Sequence, residues 1–436
     1  MDFKNLKRSI NLVEAISIVI GLIIGSGIFL KPGIVLKNAG SPKMAVIAWL
    51  TGGIITLCSA LSIAEIAANM PKTGGLYSYL EELYGNIWGF LLGWVQTVIS
   101  FPGSCAALSI ACAILTSYLI PLSNFQIKLL AVGLIAFLTI MNILSTKLGG
   151  VIQTIATIGK LIPIIVLIIF GLTNGKVNIY KSTGAISSSM GLGAAILGTL
   201  WAYDGWIGVT NVAEELKNPK RNLPRSIIVG VSFVIAIYIF FNAAIFKILP
   251  ADKILSSSQP AVEASVVLFG EKASAFIIFG MIVSVFGALN GYLMTGARVP
   301  FAMAKRGQIP FYKIFLKSHS KFETPHNCLI LQSLIADIYI FTGSFNTLSD
   351  LIVFVLWIFF VMGVCGIFIL RKRKLNLSEY KVPLYPIVPL VGTAGGLYII
   401  VSTIISNTKN SLIGIIITLF GLPVYFYLKK KKINKI

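Results

Sequence analysis

The chain has 436 residues, of which 56% are hydrophobic and 12% are charged. A soluble protein carries about twice that charged fraction, and several uncharged apolar runs reach the roughly 20 residues that cross a bilayer. The composition therefore excludes a soluble domain, and the absence of alternating strands with polar lumen faces argues against a transmembrane β-barrel. We expect an all-α membrane protein.

The net charge of +21 would suggest a nucleic-acid partner if the protein were soluble. Most of the 36 basic residues instead lie in short runs between apolar spans, as expected for loops that orient a membrane protein. We therefore predict no nucleic-acid partner, a multi-pass protein in contact with lipid, and both termini in the cytoplasm. The run Lys429–Lys432 is interpreted as a stop signal for the last helix, with contact to anionic lipid as the alternative.

The apolar runs predict twelve transmembrane helices. Their bounds are about 14–36, 44–68, 87–118, 127–145, 150–172, 192–213, 226–249, 274–302, 327–343, 350–370, 385–405 and 411–428. The third and eighth are long enough to be tilted or to extend beyond the membrane.

Glycines interrupt the first span near its middle. Gly25 and Gly27 flank Ser26, and each glycine disfavours a helix interior by up to about 1 kcal/mol. Close packing against another helix is one explanation, since small residues let helices approach. The other is an unwound stretch that lines a cavity, where the freed backbone groups find partners.

The fifth span contains Lys160 near its middle. A lysine at the centre of a membrane helix costs about 2.5–3.5 kcal/mol on insertion scales. Lys160 is too deep to reach either interface easily, so we predict an ammonium that acts in a functional site or braces it.

The sixth span has a second interruption at Tyr203, Asp204 and Gly205, although Asp204 alone could cap a simple kink. At about 1.5 Å per residue, both interruptions lie roughly 17–20 Å into the membrane. They are five spans apart, and an odd repeat length inverts the second copy. We therefore predict an inverted repeat of five plus five helices: residues 1–172, residues 192–370, and helices 11 and 12 with a basic tail in residues 385–436.

Two broken helices at one level can hold a zwitterion. N–H groups at the start of a half-helix suit a carboxylate, whereas carbonyls at the end of one suit an amine. The predicted carboxylate-binding residues are Gly25, Ser26, Gly27 and Ile28, and the predicted amine-binding residues are Ile23, Ala202, Tyr203, Asp204 and Gly205. Tyr203 is predicted to be an aromatic gate, with ordinary packing as an equal alternative, and Asn290 in span eight is a weaker contact.

The spans show no catalytic set. Both histidines, His319 and His326, lie in or at the edge of a loop, and no phosphate-binding loop or spaced pair of acids is present. We expect no enzymatic activity, no metal and no cofactor. The five cysteines lie in apolar stretches or at the start of one, which is no disulfide framework.

Several segments resemble the amino acid–polyamine–organocation superfamily, and more narrowly the L-type amino-acid transporters with their bacterial serine/threonine exchangers. These segments are Gly21–Gly33 (GLIIGSGIFLKPG), Ile63–Tyr79, Thr157–Pro163, Trp201–Arg225, Phe286–Arg306 and Val382–Pro386. The resemblance implies the twelve-helix fold of sodium-coupled leucine transporters, a bacterial cell membrane, and substrate binding at Gly25–Ile28 and residues 202–206. It also implies that Lys160 stands where sodium-coupled relatives place a cation, so that sodium-independent exchange would follow.

Animal members of that family join a glycoprotein through a cysteine between spans three and four. Leu119–Gln126 contains no cysteine, so we expect no disulfide-linked partner subunit. The expected substrates are small neutral amino acids such as serine, threonine and alanine, mainly from the resemblance. A proton-coupled symporter that titrates Lys160 and an amino-acid-binding channel or sensor remain open alternatives.

Overall fold

The computed structural model of the chain describes residues 10–72, 74–144, 146–177, 191–257, 259–319, 322, 324–343, 345–373 and 380–433. These residues are mostly helical, and the extended pairing among them is one isolated parallel bridge between Ile10 and Leu216. The prediction of an all-α protein is therefore confirmed. The ends of both predicted cytoplasmic tails, residues 1–9 and 434–436, lie outside the described residues.

The helices fall into the three predicted segments of the chain. In the first are α1 (Leu12–Ile23), α2 (Gly27–Leu30), α3 (Pro32–Ala39), α4 (Pro42–Asn69), α5 (Leu76–Tyr84), α6 (Asn86–Val95), α7 (Phe101–Ser117), α8 (Asn124–Leu144) and α9 (Thr146–Asn174), with a π-helical turn at Gln96–Ser100. In the second are α10 (Leu192–Tyr203), α11 (Pro219–Ile248), α12 (Ala251–Ser256), α13 (Pro260–Gly296), α14 (Arg298–Lys305), α15 (Tyr312–Phe315), α16 (His326–Thr342) and α17 (Phe345–Lys372), with a 3₁₀ helix at Gly208–Glu215. The third contains α18 (Ile387–Ser406), α19 (Thr408–Leu419) and α20 (Gly421–Ile433).

Ten helical stretches of the described residues are long and apolar enough to cross a membrane. Two of the twelve expected spans fall on shorter helices, α10 with 12 residues and α16 with 17 residues. The eighth expected span, 274–302, covers the later part of α13 and the start of α14. The structure therefore supports a multi-pass helical membrane protein.

Local sequence explains where the first helix starts and why it stops. α1 begins with a capping box, in which Asn11 and Glu14 each accept a hydrogen bond from the other's backbone N–H. Such reciprocal capping satisfies two of the donors that a helix start leaves free. α1 stops at Ile23, before the glycines, so the first predicted interruption is present.

The interrupted helices lie in the interior of the molecule. α1 packs against α9, α11 and α13, and α10 packs against α3, α4 and α18. All of α10 from Gly193 to Tyr203 is buried, whereas α8 and α18 leave large apolar side chains such as Phe137 and Ile405 exposed. The polar interruptions are thus shielded by helices whose outer faces suit lipid.

Candidate functional site

The first interruption consists of two half-helices joined by an unwound turn. Ile24 follows α1 in an extended conformation, with φ −74° and ψ 96°, and α2 begins after Ser26. Within the described part of the chain, no hydrogen-bond acceptor is in reach of the backbone N–H groups of residues 25–28. These donors at the start of a half-helix suit a carboxylate.

Lys160 occupies the carbonyl end of the same interruption. Its Nζ donates to the carbonyl oxygen of Gly21 at 2.7 Å and to that of Ile24 at 2.6 Å, and the side chain is fully buried. The ammonium therefore lies where the dipole of α1 is negative. This is the geometry expected of a group that braces the interruption, and its part in transport stays a prediction.

The two interruptions are in direct contact at Gly27. A Cβ on Gly27 would lie 2.5 Å from the Ala202 Cα and 2.7 Å from the Ala202 Cβ. The start of α2 can therefore reach the end of α10 only because residue 27 has no side chain. The predicted carboxylate and amine residues are thus brought together at this point.

The second interruption crosses the end of α1. Asp204 ends α10 in an extended conformation, and Gly205 has a φ of +104°, which favours glycine. A Cβ on Gly205 would lie 2.9 Å from the carbonyl of Leu22. The Asp204 carboxylate accepts a hydrogen bond from the Tyr292 hydroxyl at 2.9 Å, so α13 holds it in place.

Tyr238 of α11 connects the two interruptions, and sequence reasoning missed it. Its hydroxyl lies 3.0 Å from the Ile23 carbonyl oxygen and 2.8 Å from that of Ala202. Since a hydroxyl has one proton, the two carbonyls converge on a single donor. A tyrosine near the middle of the seventh predicted span is the signal that could have pointed to it, by the same depth argument that identified Lys160.

The predicted gate, Tyr203, is part of a buried aromatic cluster. Its ring lies edge-on to Trp49, with centroids 6.0 Å apart, and 5.1 Å from the Tyr238 ring. Its hydroxyl donates to the Trp49 carbonyl oxygen at 3.0 Å, which ties α10 to α4. Trp201, one turn earlier, places its Nε1 3.4 Å from Ser26 Oγ. Tyr203 is packed in this structure, and a gating movement stays a prediction.

A cavity of about 20 Å³ lies beside the second interruption. Its lining includes Leu22, Gln96, Ser100, Asp204, Gly205 and Tyr292. About 10–15 Å³ is needed for one water molecule, so the cavity is too small for an amino acid. Ser26 and Tyr203 do not line it, and both are buried.

Asn290, the weaker predicted contact, is fully buried on α13. Its Oδ1 accepts a hydrogen bond from Asn142 Nδ2 at 2.9 Å, which links α13 to α8. This bond occupies its carbonyl oxygen, and a contact with substrate stays a prediction.

The arrangement offers main-chain donors, converging carbonyls and one ammonium, which together match a zwitterion. The family model described as amino acid permease matches residues 10–422. The chain belongs to the amino acid permease family. The permease is 45% identical to the serine/threonine exchanger SteT of Bacillus subtilis (strain 168) over 429 residues, which cover 98% of each chain.

Animal relatives of the permease are more distant. It is 34% identical over 442 residues to the large neutral amino acids transporter small subunit 2 of Mus musculus, covering 97% of this chain and 81% of the relative. It is 32% identical over 407 residues to the b(0,+)-type amino acid transporter 1 of Homo sapiens, covering 90% and 82%. The predicted family is thus confirmed. The apolar helices and the bacterial relative support a multi-pass protein of a bacterial cell membrane.

Proposed function

We propose that this permease exchanges small neutral L-amino acids, such as serine, threonine and alanine, across the membrane without sodium. The observation that carries the proposal is the first interruption, where unpartnered N–H groups adjoin carbonyls held by the Lys160 ammonium. The N–H groups of residues 25–28 would bind the substrate carboxylate. Lys160 would supply the positive charge that a bound cation supplies in a sodium-coupled transporter.

The substrate amine would bind where the Tyr238 hydroxyl now lies. The carbonyls of Ile23 and Ala202 both face that hydroxyl, at 3.0 and 2.8 Å, so one ammonium could bind to both. Hydrogen bonds to charged groups contribute about 1.5–3 kcal/mol each. An ammonium would therefore displace the neutral hydroxyl from these two acceptors.

Exchange follows from the cost of the empty site. A buried donor without a partner costs about 1–3 kcal/mol, and residues 25–28 present several such donors in this closed structure. A substrate carboxylate would pair with them, so the loaded protein would close and change sides more readily than the empty one. Transport in one direction would then require a substrate for the return step.

A small neutral side chain fits the surroundings best. A Cβ on Gly25 would lie 3.1 Å from Ala288 and 3.3 Å from Leu108, so the wall near the carboxylate site is apolar and close. The Asp204 carboxylate is already paired with the Tyr292 hydroxyl, which argues against a cationic side chain. The name of the bacterial relative, a serine/threonine exchanger, supports the same choice.

The closed cavity supports alternating access as the mechanism. Because about 20 Å³ cannot hold an amino acid, the half-helices around the interruptions must move apart for substrate to enter. We further propose that α10 and α16 complete twelve spans, since each lies between longer apolar helices. The five-plus-five inverted repeat would then place the interruptions of spans one and six at the same depth.

We also propose that the permease acts without a disulfide-linked subunit. Its five cysteines are all in helices, where three are buried and two half-buried. None is therefore readily available to a partner protein.

The proposal is tested in proteoliposomes loaded with unlabelled serine. Uptake of radiolabelled serine should be strong in loaded vesicles, weak in empty ones, and unchanged when choline replaces sodium. Lys160→Met should reduce exchange at least about tenfold, the equivalent of losing one charge-assisted hydrogen bond. Size-exclusion chromatography of the variant would establish that it still folds.

Uptake that depends on sodium, or full activity of Lys160→Met, would contradict the proposal. A panel of unlabelled competitors should show inhibition by serine, threonine and alanine, and little by lysine or glutamate.

Proton-coupled symport is the second candidate. The observation that favours it is that the printed partners of Lys160 are neutral carbonyls, so the group could carry a proton during the cycle. A pH gradient would then drive serine uptake into empty vesicles, and Lys160→Met would abolish that uptake. Exchange without such uptake would exclude it.

A further inference from the structure

We propose that the permease binds the phosphate group of an anionic phospholipid in a pocket between α6, α20 and the turn after α14, on the predicted cytoplasmic side. We call this site the Lys429 pocket. Its lining includes Asn86, Phe90, Arg306, Gln308, Tyr425 and Lys429. Its volume is about 130 Å³, much larger than the cavity of about 20 Å³ beside the second interruption.

The charge in the pocket is positive. Arg306 is held by an ion pair with Glu81 at 2.5 Å and lies 4.8 Å from the centre of the Tyr77 ring, so its charge is largely balanced. Lys429 is exposed, and within the described residues it has no acidic or hydrogen-bonding partner. Lys429 therefore supplies an unbalanced cation at the mouth of the pocket.

A helix start adds further donors at the same place. α6 is ten residues long and begins at Asn86, whose backbone N–H has no acceptor among the described residues. Gly85, just before it, has a φ of +100° and would have nothing within 4 Å of an added Cβ, so the helix start is open. A helix N-terminus with a neighbouring lysine suits a phosphate.

Aromatic side chains place the pocket at the level of the lipid headgroups. Trp88, Phe426 and Tyr427 are 43%, 55% and 61% exposed, and tryptophan and tyrosine gather at membrane–water interfaces. Inside the pocket, Phe90 and Tyr425 stack with their centroids 5.2 Å apart and offer an apolar wall. A phosphate with attached acyl chains would satisfy both the polar and the apolar parts, which favours a lipid over free phosphate.

Native mass spectrometry of the full-length protein in detergent tests the proposal. Phosphatidylglycerol should bind more tightly than phosphatidylcholine, and Lys429→Gln should weaken phosphatidylglycerol binding about fivefold. The matched control is Lys430→Gln, which removes the same charge from the next residue, outside the pocket lining. It should weaken binding less than about twofold, because only diffuse attraction is lost.

Two results would count against the proposal. Equal losses for Lys429→Gln and Lys430→Gln would show general attraction to a basic tail and no defined site. Displacement of phosphatidylglycerol by millimolar inorganic phosphate would support the phosphate site and overturn its assignment to a lipid. Neither measurement depends on transport, so the outcome is independent of the proposed exchange activity.

Discussion

Removing the Tyr238 hydroxyl should strengthen substrate binding. The hydroxyl faces the carbonyls of Ile23 and Ala202, which are the groups proposed to bind the substrate amine. A neutral hydrogen bond contributes about 0.5–1.5 kcal/mol, and a buried acceptor without a partner costs about 1–3 kcal/mol. Bonds between membrane helices average about 0.6 kcal/mol, with a maximum of about 1.7, so we take about 1–2 kcal/mol as the loss.

That loss applies to the substrate-free protein, because the amine would replace the hydroxyl in the bound form. Tyr238→Phe should therefore unfold at a lower temperature without substrate and bind serine about 5–30-fold more tightly, at about 1.4 kcal/mol per tenfold. Thermal unfolding with and without serine, together with a radioligand binding curve, measures both effects. The ring and its packing against Trp49 and Tyr203 are kept in this variant.

The matched control is Tyr84→Phe, which removes a hydroxyl that donates to the Met362 carbonyl oxygen at 2.8 Å. It should lower thermal stability without changing serine affinity, because that bond lies outside the candidate site. The reasoning is refuted if Tyr238→Phe weakens serine binding, or if the two variants change the affinity equally.

Two further substitutions test the closed structure. Gly27→Ala should abolish exchange, because its Cβ would lie 2.5 Å from the Ala202 Cα and overpacking costs about 1–3 kcal/mol; Gly133→Ala, with nothing within 4 Å, should transport normally in the same vesicle assay. Lys31→Met should lower the thermal unfolding temperature, because the fully buried Lys31 ammonium pairs with Asp350 at 3.2 Å. The loss should be smaller than the roughly 3–5 kcal/mol of a fully buried pair, since the Asp350 side chain is 24% exposed, and Lys31→Met with Asp350→Asn should recover part of it. Equal unfolding temperatures for the single and double variants would contradict this account.

Much of the architecture could be predicted from the chain alone. Long uncharged runs identify a membrane protein because each span must bury its own backbone bonds in lipid. The positions of both interruptions could also be predicted, since glycines at Gly25 and Gly205 weaken a helix wherever they occur. The number of spans was harder, because α10 and α16 are shorter than the usual length of a crossing helix.

The partners of the unwound backbone could not be predicted in the same way. Lys160 stood out by its charge, but the carbonyls that it contacts belong to α1, 136 and 139 residues away. Tyr238 gave no comparable signal, because a tyrosine is ordinary in a membrane helix and becomes distinctive only through its contacts. Asn290 was chosen for its polarity, and the structure shows that Asn142 on α8 takes up its oxygen.

The sequence by itself determined that the chain crosses the membrane as helices, that two of them break at one depth, and that a lysine lies at that depth. These properties depend on hydrophobicity, helix propensity and charge, which act within a single segment of chain. Tertiary structure alone decided that Gly27 meets Ala202, that one hydroxyl faces both interruptions, and that the cavity is closed. Those outcomes depend on how helices far apart in the chain pack together, because an unwound backbone in lipid must take its partners from its neighbours.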